Sequence, residues 1–184
     1  MDTYKLKITK LNFTRLEQAI FSLLCVRAGE LLSQRDIAKV LRVSPTAVSK
    51  PLKKLKKYSL IKIKKTKTIN FISLNREEQW VMQLKRAENL KNIYLSRVLP
   101  YLEEELPGGT IVLFGSYSRG DDTTTSDLDL AVIGRKDKLL HLEPYEKIFA
   151  RQININFYDS WKDIGIHLKN NLLNGIVLTG SVDL

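Results

Sequence analysis

Thiols are almost absent from this chain: Cys25 is the one cysteine in 184 residues. A single thiol builds neither a disulfide framework nor a thiolate metal cluster. Set among Leu23, Leu24 and Val26, it reads as a small core residue. Histidine is nearly as scarce. His141 and His167 stand apart with no second ligand nearby, so both read as surface or capping positions and no zinc site is expected. No apolar run approaches the roughly 18 residues that span a bilayer. The longest candidate, 19–26, is short and sits inside an amphipathic pattern. The opening Met1-Asp2-Thr3-Tyr4-Lys5 lacks the charged-then-apolar layout of a signal peptide. Internal repeats are lacking too, and lysine runs are the only compositional bias. These absences argue against a membrane partner and a disulfide scaffold, and the expectation is a reducing, cytoplasmic setting.

Acidic residues are missing altogether between Asp36 and Glu77. The net charge of +10 therefore divides unevenly along the chain. Residues 1–75 hold 17 Lys/Arg against 4 Asp/Glu, a net of +13, whereas residues 76–184 hold 13 against 16, a net of −3. Such asymmetry points to a basic module for nucleic acid joined to a module with a different task. With 43% apolar and 27% charged residues, the chain can bury one core or two small ones.

Phe13, Leu16, Ile20, Leu23 and Leu24 recur at helical spacing, predicting a first helix that ends near Gly29. Ser33 caps a short second helix over 34–41, with Ile37, Val40 and Leu41 facing inward. Ser44-Pro45 opens a third helix over 46–58, because proline at the first helical position loses no hydrogen bond. Val48, Leu52 and Leu55 share one of its faces, and that spacing persists through Pro51, which is expected to kink it. Residues 60–64 and 67–72 then alternate at strand period around Lys65-Thr66. Three helices followed by a basic hairpin resemble the winged helix-turn-helix family. That resemblance implies a recognition helix in the major groove of double-stranded DNA and a wing on the backbone. Lys53, Lys54, Lys62, Lys64, Lys65 and Lys67 suit phosphate contacts, and Ser44, Thr46, Ser49 and Lys50 near the helix start suit base contacts.

Between Arg76 and Leu99 a long helix is expected, broken at Pro100, with Trp80, Leu84, Ala87, Tyr94 and Val98 as its stripe. It reads as a linker over 76–107, closed by Pro107-Gly108-Gly109, and as a surface for core packing or for a homodimer.

The chemistry is concentrated in 111–133. The apolar run Ile111-Val112-Leu113-Phe114 predicts a buried strand that delivers Gly115-Ser116-Tyr117-Ser118-Arg119-Gly120. Gly115 lets the backbone approach a triphosphate, and Ser116 adds a hydroxyl beside N–H groups that favour anions. Ten residues after Ser116 comes Asp127-Leu128-Asp129, whose two carboxylates share one face of a strand. Neighbouring carboxylates call for a hard divalent cation, and Mg²⁺ bridging substrate phosphates suits them.

Gly115-Ser116, ten residues, Asp127-x-Asp129 resembles the signature of the DNA polymerase beta-like nucleotidyltransferase superfamily, and in detail its minimal branch. The resemblance covers about 108–180. It implies that Gly115 and Ser116 grip nucleotide phosphates, that Arg119 adds positive charge nearby, and that Asp127 and Asp129 hold metal ions, two Mg²⁺ in an active enzyme. The implied reaction moves a nucleoside monophosphate from ATP or another NTP to a hydroxyl. In that branch the acceptor is often a protein, and partners include HEPN-type toxins.

One position departs from the pattern. The family's third carboxylate comes from a later strand, here Arg151-Gln152-Ile153-Asn154-Ile155-Asn156-Phe157-Tyr158. Ile153, Ile155 and Phe157 face one way, so asparagines occupy the face where an acid is expected, with Asn154 the first choice for the third position. An amide can ligate a metal through its carbonyl but cannot accept a proton. Asp159 lies just beyond the strand and would need a bend to reach the site. Pro144 opens a short helix over 145–150, and Ser160 opens another whose buried face is Trp161, Ile164 and Leu168, before 172–178 closes the domain.

The expected fold is α+β: a winged helix over 1–75, a linker helix over 76–107, and a small α/β nucleotidyltransferase domain with a mixed sheet over 108–184. Two functional readings stay open. One is a DNA-binding nucleotidyltransferase; the other is a weak or inactive regulator or antitoxin whose second domain senses nucleotide or binds a partner.

Overall fold

A computed structural model describes residues 12–183, so the opening segment 1–5 and the start of the basic module lie outside the described residues. The chain divides into two compact units, the first ending at Glu78 and the second beginning at Gln79.

In the first unit, helix α1 (Arg15–Val26) starts with a reciprocal capping box between Thr14 and Glu17 and buries Ile20, Phe21, Leu24 and Cys25. The short strand β1 (Leu32–Ser33) leads into α2 (Gln34–Leu41), capped in the same way by Ser33 and Asp36. Helix α3 (Pro45–Lys57) has Ser44 as its N-cap and Pro45 in its first turn, and buries Val48, Leu52 and Leu55. It runs through Pro51, whose ring is buried, while Ala47, the residue deprived of its helical donor, is exposed. Strands β2 (Ile61–Lys65) and β3 (Asn70–Leu74) form the wing, and the antiparallel order is β1-β3-β2. This is the winged-helix arrangement the spacing predicts.

Two details differ from expectation. Val40 is exposed and Ala38 is buried in its place, because the inward arc of α2 runs from Ile37 through Leu41 to Ala38 and Val40 lies outside it, on the far side of Ile37. The hairpin turn spans 66–69 and not two residues. Thr66 Oγ1 donates to the Ile69 carbonyl at 2.7 Å, and the register pairs Ile63 with Ile72 and Ile61 with Leu74. This register puts the buried apolar residues of both strands on the core face.

The second unit begins with α4 (Gln79–Ser96) and α5 (Val98–Glu105), separated by Arg97 in the left-handed conformation at φ 65°. The break therefore comes before Pro100, which α5 accommodates within its first turn. The expected stripe fails over α4: Trp80, Ala87 and Tyr94 are exposed and Leu84 is half-buried, Val98 of α5 being its one buried member, and the inner face of α4 is Val81, Lys85, Asn89, Ile93 and Ser96. The polar residues on that face hide its true phase. Both helices belong to the second unit, so the segment 76–107 is not a free-standing linker.

Strands β4 (Thr110–Phe114), β5 (Leu128–Ile133), β6 (Ile153–Tyr158) and β7 (Ile176–Thr179) form a mixed sheet in the order β6-β5-β4-β7. Strand β4 is antiparallel to both neighbours, and β5 is parallel to β6. One sheet face, with Ile111, Leu113, Leu128 and Leu130, packs on Ile93, Val98 and Leu102 of α4 and α5. The other, with Val112, Ala131 and Ile133, packs on Trp161, Ile164 and Leu172. Short helices α6 (Gly115–Arg119), α7 (Glu143–Phe149) and α8 (Ile166–Leu173) connect the strands. The helix expected to begin at Ser160 is a single 3-10 turn, Trp161–Asp163, with α8 starting afresh after Gly165. No helix among the described residues is long and apolar enough to cross a membrane.

Candidate functional sites

The second unit's site is assembled at one end of β4, β5 and β6. Antiparallel pairing of Phe114 with Asp129 brings the start of α6 beside that carboxylate. Gly115 has φ 73°, and a Cβ there would lie 2.5 Å from Asp129 Oδ2, so both conformation and space require glycine. Ser118 Oγ donates to the Gly115 carbonyl at 2.9 Å, and the Ser116 carbonyl accepts the N–H groups of Gly120 and Asp121 at 3.0 and 3.2 Å. Gly120 closes the helix at φ 82°, packed so tightly on α4 that a Cβ would meet the Met82 carbonyl at 2.6 Å. Ser116 is half-buried at the site, and Arg119 is exposed, its Nε donating to Asp121 Oδ2 at 3.1 Å.

Asp129 lies within β5, and Asp127 precedes the strand by one residue. Parallel pairing sets Asn154 opposite Asp129. Its Nδ2 donates to Asp127 Oδ2 and to Asp129 Oδ1, each at 3.2 Å, so one amide bridges the carboxylate pair. Asn156 pairs with Ala131, one pleat further on, and takes no part in this bridge. Asp159 follows the opposite end of β6, about 16 Å along the strand from Asn154 at roughly 3.3 Å per residue, and so cannot supply a third acid. Among the described residues no three of His, Cys, Asp and Glu group together in a way that could hold a metal. The residues that could hold a hard cation here are Asp127 and Asp129, whose carboxylates the Asn154 amide bridges.

The basic residues of the first unit fall into distinct groups. Thr46, Lys50 and Lys53 form an exposed row along α3, which Lys57 extends. Beside it, and sharing Lys53 with it, a groove between α3 and the wing is lined by Ser49, Lys56, Lys65, Asn70 and Gln34. Ser44 is committed to its cap, its Oγ accepting the Ala47 N–H at 3.2 Å. Lys64 and Lys67 are exposed on the wing, but the pleat turns Lys62 and Lys64 to the face opposite Ile63 and Lys65.

Lys54 is not on the α3 row. Its Nζ donates to Glu17 Oε2 at 2.8 Å and to the Asn12 carbonyl at 2.9 Å, tying α3 to the N-terminus of α1. Burial pushes the Glu17 carboxyl up, but the Lys54 ammonium and the Thr14 hydrogen bonds outweigh it and hold it below its ordinary value. Lys62 is likewise paired, with Glu77. The groove residues Lys56 and Gln34 do not stand out in the sequence. Lys56 carries a helical-spacing signal, three residues after Lys53, whereas Gln34 follows a cap with nothing to mark it.

Comparison with solved structures gives partial, low-identity likenesses. A single-residue mutant of Lactococcus lactis ZitR is 22% identical over 52% of this chain and 63% of its own, with a TM-score of 0.40. MepR, a transcription regulator of the Staphylococcus aureus multidrug efflux pump MepA, is 23% identical over 53% of this chain and 73% of its own, also at 0.40. Wild-type ZitR in complex with DNA is 26% identical over 52% and 66%, at 0.37. The chain thus spans less than two thirds of these two ZitR chains. No curated protein matches it. Residues 95–178, from the end of α4 to β7, match the family model described as nucleotidyltransferase domain, and the second unit carries such a domain.

Proposed function

We propose that this protein binds double-stranded DNA through its first unit and Mg-NTP, ATP foremost, through its second, with slow or no transfer of the nucleotide to a hydroxyl. The observation that carries this reading is the Asn154 bridge, which puts an amide where the reaction needs a base. Gly115 and Ser116 offer a close backbone and a hydroxyl to the phosphates, and Arg119 offers a charge at the rim. Asp127 and Asp129 would hold the cation, and Asn154 would join them only by exchanging its Nδ2 bonds to both carboxylates for its carbonyl oxygen. When bound, Mg²⁺ neutralises the phosphate oxygens at which charge develops as pyrophosphate leaves. The incoming hydroxyl must still lose a proton, and Asn154, where the later strand meets the carboxylate pair, carries an amide that does not accept one. The second reading that the Asn154 bridge supports is a nucleotide-sensing regulator or antitoxin with a neighbouring protein as its partner.

The test is incubation of the full chain with α-labelled ATP and Mg²⁺, alone and with the proteins encoded beside its gene. Nucleotide retained without covalent label on any acceptor is the expected result. No retention removes the nucleotide reading, and rapid labelling removes the claim of slow transfer.

A further inference from the structure

Beneath the site, the second unit buries an ionic cluster that the nucleotide chemistry does not use. Lys85 and Asn89 come from α4, Asp122 from the loop after α6, and Arg151 from the residues preceding β6. Asp122 is 1% exposed and Lys85 is fully buried. One Asp122 oxygen accepts from Lys85 Nζ and from Asn89 Nδ2, the latter at 2.7 Å. The other accepts from Arg151 Nη1 at 3.1 Å. Asn89 Nδ2 also donates to the Tyr117 carbonyl at 2.9 Å, and the Arg151 guanidinium lies 4.9 Å from the centre of the Tyr117 ring. The cluster thus touches α6, the 121–127 loop and the root of β6, the segments that carry the phosphate-facing residues, Asp127 and Asn154.

Burying charges is costly unless they are paired and hydrogen-bonded, and one of these hydrogen bonds reaches the site. Arg151 Nη1 donates to the Ser126 carbonyl at 3.1 Å, immediately before Asp127. On the other side of Asp127, the Leu128 N–H donates to the carbonyl of Gln152, Arg151's neighbour, at 2.9 Å. Asp127 lies outside the β5 ladder, and these two bonds from one dipeptide bracket it. Asp129 needs no such help, since strands on both sides hold it. We propose that Arg151, anchored by Asp122, is the positioning residue that sets Asp127 against Asp129 for cation capture. This rests on the reading that those two aspartates hold the divalent cation.

Loss of a residue that orients a metal ligand typically weakens metal affinity about 10–100-fold. Arg151→Met removes the hydrogen bonds to Ser126 and Asp122 while leaving the Lys85–Asp122 pair neutral. The measurement is Mn²⁺ affinity of the full chain, from the electron paramagnetic resonance signal of the free ion, beside the unfolding temperature. Arg151→Met is expected to bind Mn²⁺ about 10–100-fold more weakly at temperatures where it is fully folded, and Arg151→Lys, which keeps the charge but not the fork, to fall between it and the parent. Should Arg151→Met fail to fold, Arg151→Lys alone decides. A lowered unfolding temperature with parental Mn²⁺ affinity overturns the positioning role and leaves the cation site standing. A parent that binds Mn²⁺ no better than Asp127→Asn/Asp129→Asn overturns both.

Discussion

At position 154 the difference between one oxygen and one NH₂ decides whether the side chain bridges Asp127 and Asp129 or repels them. The amide satisfies two carboxylates at 3.2 Å each, which a carboxylate in the same place would repel. Asn154→Asp therefore trades a bridge for a third ligand and base. It is expected to raise label transfer from ATP by about 10²–10⁴, the usual worth of a positioned general base. Asn156→Asp, whose residue pairs with Ala131, is expected to leave transfer at the parental level. Equal gains at both positions would show that the strand register does not select the base. Gly115→Ala tests the same small space. Its methyl would meet Asp129 Oδ2 at 2.5 Å from a backbone with positive φ, so Mg-ATP retention in a filter-binding assay should be lost.

Beside the apolar cores, a few polar contacts link one element to another, and these predict stability. Lys85 anchors α4 to the loop after α6, and its removal as Lys85→Met strands part of the Asp122 charge in the core. A loss of about 3–5 kcal/mol in urea unfolding is expected for breaking a buried pair from one side. In the first unit, Lys54 and Glu17 join α3 to α1. Because the folded Glu17 carboxyl sits below its ordinary value, the stability it adds is complete above that ordinary value and disappears as pH falls through the lower, folded one. Glu17→Gln should flatten this part of the acid limb in an unfolding-temperature series against pH. An unchanged acid limb would mean that the ion pair adds nothing. Winged-helix order was legible in the sequence because caps at Ser33 and Ser44 and the apolar periods agree. Helix α4 was misread because its buried face is partly polar, and periodicity counts only apolar residues.

For the whole molecule, the charge split of +13 against −3 is the feature that governs partners. Replacing Lys50, Lys53 and Lys65 with Ala should weaken DNA binding and reduce the salt slope by about 0.9 for each phosphate no longer neutralised. Lys54→Ala and Lys62→Ala should change that slope less, because both ammonium groups are engaged by carboxylates of their own unit. Equal slopes for the two sets would show that the exposed α3 row is not the DNA face. Asp127→Asn with Asp129→Asn should abolish Mg-ATP retention while mobility-shift affinity for DNA stays parental, as expected for separate units.

Sequence alone determined the helix-helix-helix-hairpin order of the first unit, the uneven charge along the chain, and the loop-plus-aspartate motif. Each of these is written in local spacing: caps, alternation, and ten residues between Ser116 and Asp127. Tertiary structure decided what spacing cannot carry. Parallel pairing of β5 with β6 chose Asn154 over Asn156 and carried Asp159 to the far end. A salt link across 37 residues took Lys54 off the α3 row. Lys85, Asp122 and Arg151, scattered along the chain, became one cluster only when α4 and the sheet closed over them. Contacts of that kind are set by three-dimensional proximity, which local periodicity does not encode.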